Sequence, residues 1–207
     1  TEAAEALVKA ADPQGRTLLE LRKLVDKEGA IVELSKATVT LGAKIGKLRP
    51  MTDNVGAVLP GVGELKDRYI VLGAHYDHLG TGLVGVRFPS DRGQIFHGSD
   101  DNASGTSGLL INAAKLAEEF SKLPPDQPRR SVLFLAFSAE ESGLNGSRYY
   151  TQHPIAPIGQ HDYMINTDMI GRLADKPLEA GGVATAEGLS DWLNPYFESS
   201  GLKIAAK

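Results

Sequence analysis

Residues 68–75 read RYIVLGAH and residues 131–137 read SVLFLAF, two apolar runs of strand length with no charge in their interiors. A strand without a polar face must be covered on both sides, the situation of a mostly parallel sheet between helices. Both runs give way to ionisable groups. The first ends in His75-Tyr76-Asp77-His78, and the second is followed within three residues by Glu140-Glu141. Two adjacent carboxylates at the mouth of a hydrophobic core repel each other and lose hydration. The pattern therefore predicts a positive partner, and a metal ion would serve.

Around these runs the chain alternates between strand and helix signals. VGAVL is a short strand closed by a Pro60-Gly61 turn. DDNASGTSGLLINAAKLAEEF predicts a helix capped by Asn102 or Ser104, with Leu109, Leu110, Ala113, Leu116, Ala117 and Phe120 on one face. PPDQP breaks it, SGLNGSRYY opens a second helix, and DYMIN is a strand leading into Thr167-Asp168. LSDWLNPYFESSGLK reads as a helix with Pro195 at its start or at a kink, and Trp192, Tyr196 and Phe197 as core packing. The alternation argues for an α/β sandwich around a mostly parallel sheet. The long loop 78–99, rich in Gly, Pro and Asp, is of the kind that usually carries function.

The first fifty residues differ. EAAEALVKA and TLLELRKLVDKEG have apolar residues at helical spacing, with Gly29 as a stop, and IVELSKATVTLGAKIGKL alternates like one or two strands. We expect an accessory segment over 1–50 and a catalytic domain over 51–207, with a boundary near Arg49-Pro50. A net charge of -4 gives no case for nucleic acid, and no apolar run reaches the length of a membrane span. With no cysteine, disulfides and thiolate metal sites are excluded.

Four polar clusters fall at the C-terminal end of a predicted strand or in the loop after it: His75 to His78, Asp100-Asp101-Asn102, Glu140-Glu141 and Asp168. That edge of an open α/β sheet is where ligands bind. Histidines and carboxylates gathered there suit a divalent ion such as zinc. G-x-S-x-G is absent, which argues against a nucleophilic serine.

In order, GAHYDHLG, GSDDNASGTSGLL, AFSAEESGLNGSRYY and INTDMIG resemble the M28 family of zinc aminopeptidases. The resemblance implies a three-layer phosphorylase/hydrolase-like sandwich and hydrolysis at the N-terminus of peptides, by a water that two zinc ions acidify. It implies that His75 and Asp168 hold one zinc, that Glu141 holds the other and that Asp101 bridges them. Glu140 would be the general base, and the Asp77 carboxylate would accept a hydrogen bond from His75 and fix its tautomer. A glutaminyl-cyclase-like transferase and a non-catalytic relative share the fold and remain alternatives. The family's fifth ligand is a histidine near the domain's end, whereas none of His75, His78, His97, His153 and His161 follows Asp168. The expectation is a domain incomplete at its C-terminus, with its second zinc weakened and its sheet completed by the missing segment or by another chain. His78 and His97 are read as rim residues bonded to the loop, and His153 and His161 are given no role. The family pattern also suggests export.

Overall fold

In the computed structural model the run around Val71 becomes β2 (Tyr69–His75) and the run around Leu133 becomes β3 (Ser131–Phe137). They pair in parallel from Tyr69 with Ser131 to His75 with Phe137, so both deliver their C-terminal ends to one edge. β4 (His161–Asn166) joins β2 in parallel, and β1 (Val55–Leu59) flanks β3 antiparallel. The order is β1-β3-β2-β4.

Period-two alternation divides the core between the two faces. Val71, Leu133, Leu135 and Phe137 point to one side, where Tyr150 of α4 (Asn145–Gln152) packs on them. Ala74, Val132 and Phe134 point to the other, covered by α3 (Ala103–Lys122) through Leu109, Ala113, Leu116 and Phe120. The result is helix, sheet, helix. The stripe on α3 is narrower than the periodicity suggests: Leu110 is 66% exposed, and Ala117 is also exposed. A flat sheet accepts only the row 109, 113, 116, 120, and residues one step to either side turn to solvent.

Past Asp168 the structure departs further from expectation. β5 (Leu178–Ala180) and β6 (Ile204–Ala206) form a separate parallel two-stranded sheet, with α5 (Leu189–Ser199) between them in sequence. Pro195 sits inside α5. Trp192 and Tyr196 are exposed rather than buried, with ring centroids 5.3 Å apart.

Residues Thr1–Arg49 form one unit and Pro50–Lys207 another. It contains α1 (Glu2–Ala11) and α2 (Leu18–Glu28). A Thr17/Glu20 capping box starts α2, and Gly29, at φ 59°, ends it in the left-handed conformation. The structure describes residues 2–29, 31–33, 38, 40, 42, 43, 50–83 and 85–207, and the strands expected within 31–48 fall largely outside them. Among the described residues no helix is long and apolar enough to cross a membrane.

Candidate metal centre

His75, the last residue of β2, is buried, and its Nδ1 lies 3.1 Å from the main-chain carbonyl of Asp77. A carbonyl can only accept, so Nδ1 carries the proton and Nε2 presents its lone pair. That lone pair faces Asp101 Oδ1 at 3.2 Å, Asp168 Oδ2 at 3.5 Å and Glu140 Oε2 at 4.0 Å. A lone pair aimed at three carboxylates is the geometry of a ligand around a cation. Asp77 fixes the tautomer through its carbonyl instead of the expected carboxylate, whose Oδ1 is 3.8 Å from Nδ1. That carboxylate accepts from the Glu140 main-chain N–H at 3.1 Å, holding the segment after β3.

Asp101 and Asp168 are brought together by Asn102, which is 1% exposed. Its Oδ1 caps α3 by accepting from Gly105 N at 3.0 Å and also accepts from Met169 N at 3.2 Å. Its Nδ2 donates to the Thr167 carbonyl at 3.0 Å. The last two bonds thus tie the start of α3 to both flanks of Asp168. Gly105 makes the approach possible, because a Cβ there would strike Asn102 Oδ1 and the Thr167 carbonyl. Thr106 Oγ1 donates to the His75 carbonyl at 2.9 Å and docks the same turn on β2. The neighbouring acid has a different job: Asp100 Oδ1 accepts from Gly171 N at 2.9 Å, and its other oxygen faces Arg172 at 3.7 Å.

After β3 the chain turns through Ala139, a non-glycine residue at φ 53°. Met169, just past Asp168, has φ 51°. Left-handed backbone costs a side chain about 1–2 kcal/mol and gathers at functional sites. The turn separates the adjacent acids. Glu140 faces His75, while Glu141 Oε1 lies 2.6 Å from His78 Nδ1, which is itself 3.8 Å from Asp101 Oδ1.

Two groups of donors result, His75–Asp101–Asp168 and His78–Asp101–Glu141, each with its ligand atoms within 4.8 Å of one another. Asp101 belongs to both. Two carboxylate charges at that separation repel by roughly 3 kcal/mol at the effective dielectric of a protein rim. One imidazole with two carboxylates is a donor set that suits a divalent cation. Burial pushes the Glu140 carboxyl above its ordinary range; His75 pulls it down, and the charges of Glu141, Asp168 and Asp77 push it further up.

The other histidines lie outside both groups. His161 sits between the Tyr150 hydroxyl at 2.8 Å and the Pro157 carbonyl at 3.1 Å. His153 stacks on Tyr149, and His97 is exposed. A cavity of about 480 Å³ opens on the sheet face opposite α3, lined by Val71, Leu135, Phe137, Tyr150 and Met164 among others. It contains none of the residues of the two groups. Asn102 does more than the cap expected of it, bonding Thr167 and Met169, and His78, expected on the rim, lies in the second group.

The chain is similar to several known proteins. Over 97 residues, 46% of this chain, it is 34% identical to the aminopeptidase YwaD of Bacillus subtilis and covers 20% of that protein. Over 139 residues, 67% of this chain, it is 27% identical to the aminopeptidase NAALADL1 of Rattus norvegicus and covers 16% of it. The chain thus spans a fifth or less of the length of these two relatives. The fold resembles that of a Zn-dependent exopeptidase from Parabacteroides distasonis, with a TM-score of 0.51 and 17% identity, covering 74% of this chain and 56% of that one. The model of peptidase family M28 matches residues 54–206, nearly all of the unit that carries both groups, and the chain belongs to that family.

Proposed function

We propose that this chain carries the catalytic centre of a zinc-dependent aminopeptidase, which cleaves the bond after the N-terminal residue of a peptide. The observation that carries the reading is the sharing of Asp101 by two histidine–carboxylate groups. A glutaminyl-cyclase-like site with one ion would need only one of the two groups, so the presence of a second group favours the two-ion hydrolase. His75, Asp101 and Asp168 would hold one ion, with Asp101 and Glu141 on the other. When bound, the ions supply Lewis acidity, lowering the pKa of a water from about 15.7 towards 7 and polarising the scissile carbonyl.

The chain's own residues do the rest. Glu140 faces the same space as His75 Nε2 without belonging to either donor group. It takes a proton from the attacking water as the C–O bond forms. It then returns that proton to the amine nitrogen as the C–N bond breaks, so no covalent intermediate with the enzyme is needed. Burial and the neighbouring acids raise its proton affinity in the ion-free protein. Asp77 is a positioning residue, holding the Glu140 main chain with its carboxylate and the His75 ring with its carbonyl. We take residues 1–50 as an accessory segment outside this chemistry.

Glu140→Gln tests the reading on an aminoacyl anilide. Zinc content should stay at the parent value while kcat falls about 10²–10⁴-fold, the usual contribution of a general acid–base group. Undiminished turnover would remove Glu140 from the mechanism. Cyclisation of a glutaminyl peptide without hydrolysis of the anilide would favour the transferase.

A further inference from the structure

We propose that Asn54 is a positioning residue for Glu140, a step that rests on the reading of Glu140 as the general base. Glu140 and Glu141 lie on an excursion of the chain that leaves β3 at Ser138 and re-enters regular structure in α4. Asn54 holds both ends of it. Its Oδ1 accepts from the Ser138 main-chain N–H at 3.0 Å, and its Nδ2 donates to the Gly146 carbonyl at 2.8 Å. These bonds cross 84 and 92 residues of chain. The excursion's own bonds are local, from Gly143 N and Leu144 N to the Glu140 carbonyl and from Asn145 N to the Ala139 carbonyl. The local bonds set the shape of the turn. Asn54 sets where the turn stands on the sheet.

The sheet brings Asn54 to this place. β1 pairs with β3 from Leu59 opposite Val132 to Val55 opposite Ala136, so the residues just before β1 run alongside those just after β3. There Thr52 Oγ1 and Ser138 Oγ lie 2.6 Å apart, a second bond to Ser138, which is itself buried. The Tyr76 hydroxyl donates to the Asp53 carbonyl at 2.7 Å and ties the same segment to the residue after His75. Gly146 completes the clasp, because a Cβ there would strike the Ser138 main chain and Asn54 Oδ1. Between the clasped ends, Ala139 and Leu144 are non-glycine residues in the left-handed region, at φ 53° and 59°. A turn with two such residues needs contacts beyond itself to keep its shape. A general base has to stay within hydrogen-bond reach of the proton it takes, and a misplacement of about 1 Å can cost about 10²-fold in rate. Asn54 belongs to neither donor group, so its effect on the reaction runs through the turn it holds.

A double-mutant cycle, assayed on an aminoacyl anilide with zinc in excess, tests this. Glu140→Gln alone checks the reading underneath: undiminished kcat sinks that reading and this inference together. With Glu140 present, Asn54→Ala should lower kcat by about 10–10²-fold and leave KM at the parent value. In the Glu140→Gln background the same substitution should change kcat by no more than about twofold, because the group it positions has gone. Equal losses in both backgrounds would overturn the proposal and leave Glu140 as the base, since a residue that only stabilises the fold or seats Glu141 lowers kcat whatever stands at 140. Parental kcat in Asn54→Ala would overturn it as well. Thr52→Val keeps the test open should Asn54→Ala fail to fold, because it retains the side chain's shape and removes only the bond to Ser138. Its loss of kcat should likewise depend on Glu140, and Thr52→Ser should restore the parent rate. Thr52→Val at the parental rate, or with equal losses in both backgrounds, would contradict the inference.

Discussion

Replacing Asn102 with alanine should damage stability and ion affinity together. The side chain is 1% exposed and makes three hydrogen bonds, to Gly105 N, Met169 N and the Thr167 carbonyl. At a net value of about 1 kcal/mol each, the loss is about 3 kcal/mol, and more if the buried partners stay unsatisfied. For a domain of 150–250 residues each kcal/mol moves Tm by about 2–4 °C, so the ion-free variant should melt some 6–12 °C below the parent. Two of the bonds hold the flanks of Asp168. Affinity at the His75–Asp101–Asp168 group should therefore fall by about 10–100-fold, the effect usual for partners that orient ligands. Calorimetric melting of the ion-free proteins and zinc titration against a chromophoric chelator measure the two effects. Asn102→Asp separates them in part: it keeps both acceptor bonds, loses the donor to Thr167 and adds charge beside Asp101. A Tm within about 2 °C of the parent together with unchanged zinc affinity would refute the stapling role.

Three further outcomes follow from the same geometry. Asp101→Asn should abolish binding of both ions, whereas Asp100→Asn should leave zinc stoichiometry intact, because Asp100 bonds the main chain of Gly171 instead; equilibrium dialysis with metal analysis separates them. In ion-free protein the folded-state pKa of Glu140 lies above its ordinary 4.5, so the folded state holds the extra proton and the burial cost appears as pH rises through the folded value. Glu140→Gln should accordingly raise Tm in chelator at pH 7 and confer no gain below about pH 4, a difference that melting curves across pH would show. Leu133→Ala, at the fully buried centre of the sheet, should cost about 2–5 kcal/mol in denaturant unfolding.

How much of this was legible in the sequence depended on the range of the contacts. β2 and β3 could be read because a strand covered on both faces has to be apolar throughout. The orientation of β1 could not, since an apolar run carries no direction. β5 and β6, three residues each, are too short for a period to show. Asn102 announced itself as a cap through its bond three residues away, but its bonds to Thr167 and Met169 cross 65 and 67 residues. His78 meets Glu141 across 63 residues, and only the fold of loop 78–99 decides which way its ring faces. Asp77 was anticipated as a partner of His75, yet a sequence cannot say whether carbonyl or carboxylate makes the bond. The edge could be read as a candidate metal site for the opposite reason: like charges at the ends of buried strands are costly enough to call for a positive partner.

Anomalous diffraction at the zinc edge, on crystals of the 207-residue chain grown with zinc, addresses the central claim most directly. Two peaks about 3.5–4 Å apart are expected, one on each side of the Asp101 carboxylate. Peaks away from Asp101, or Asp101, Glu141 and Asp168 side chains turned to separate places with no peak among them, would contradict it.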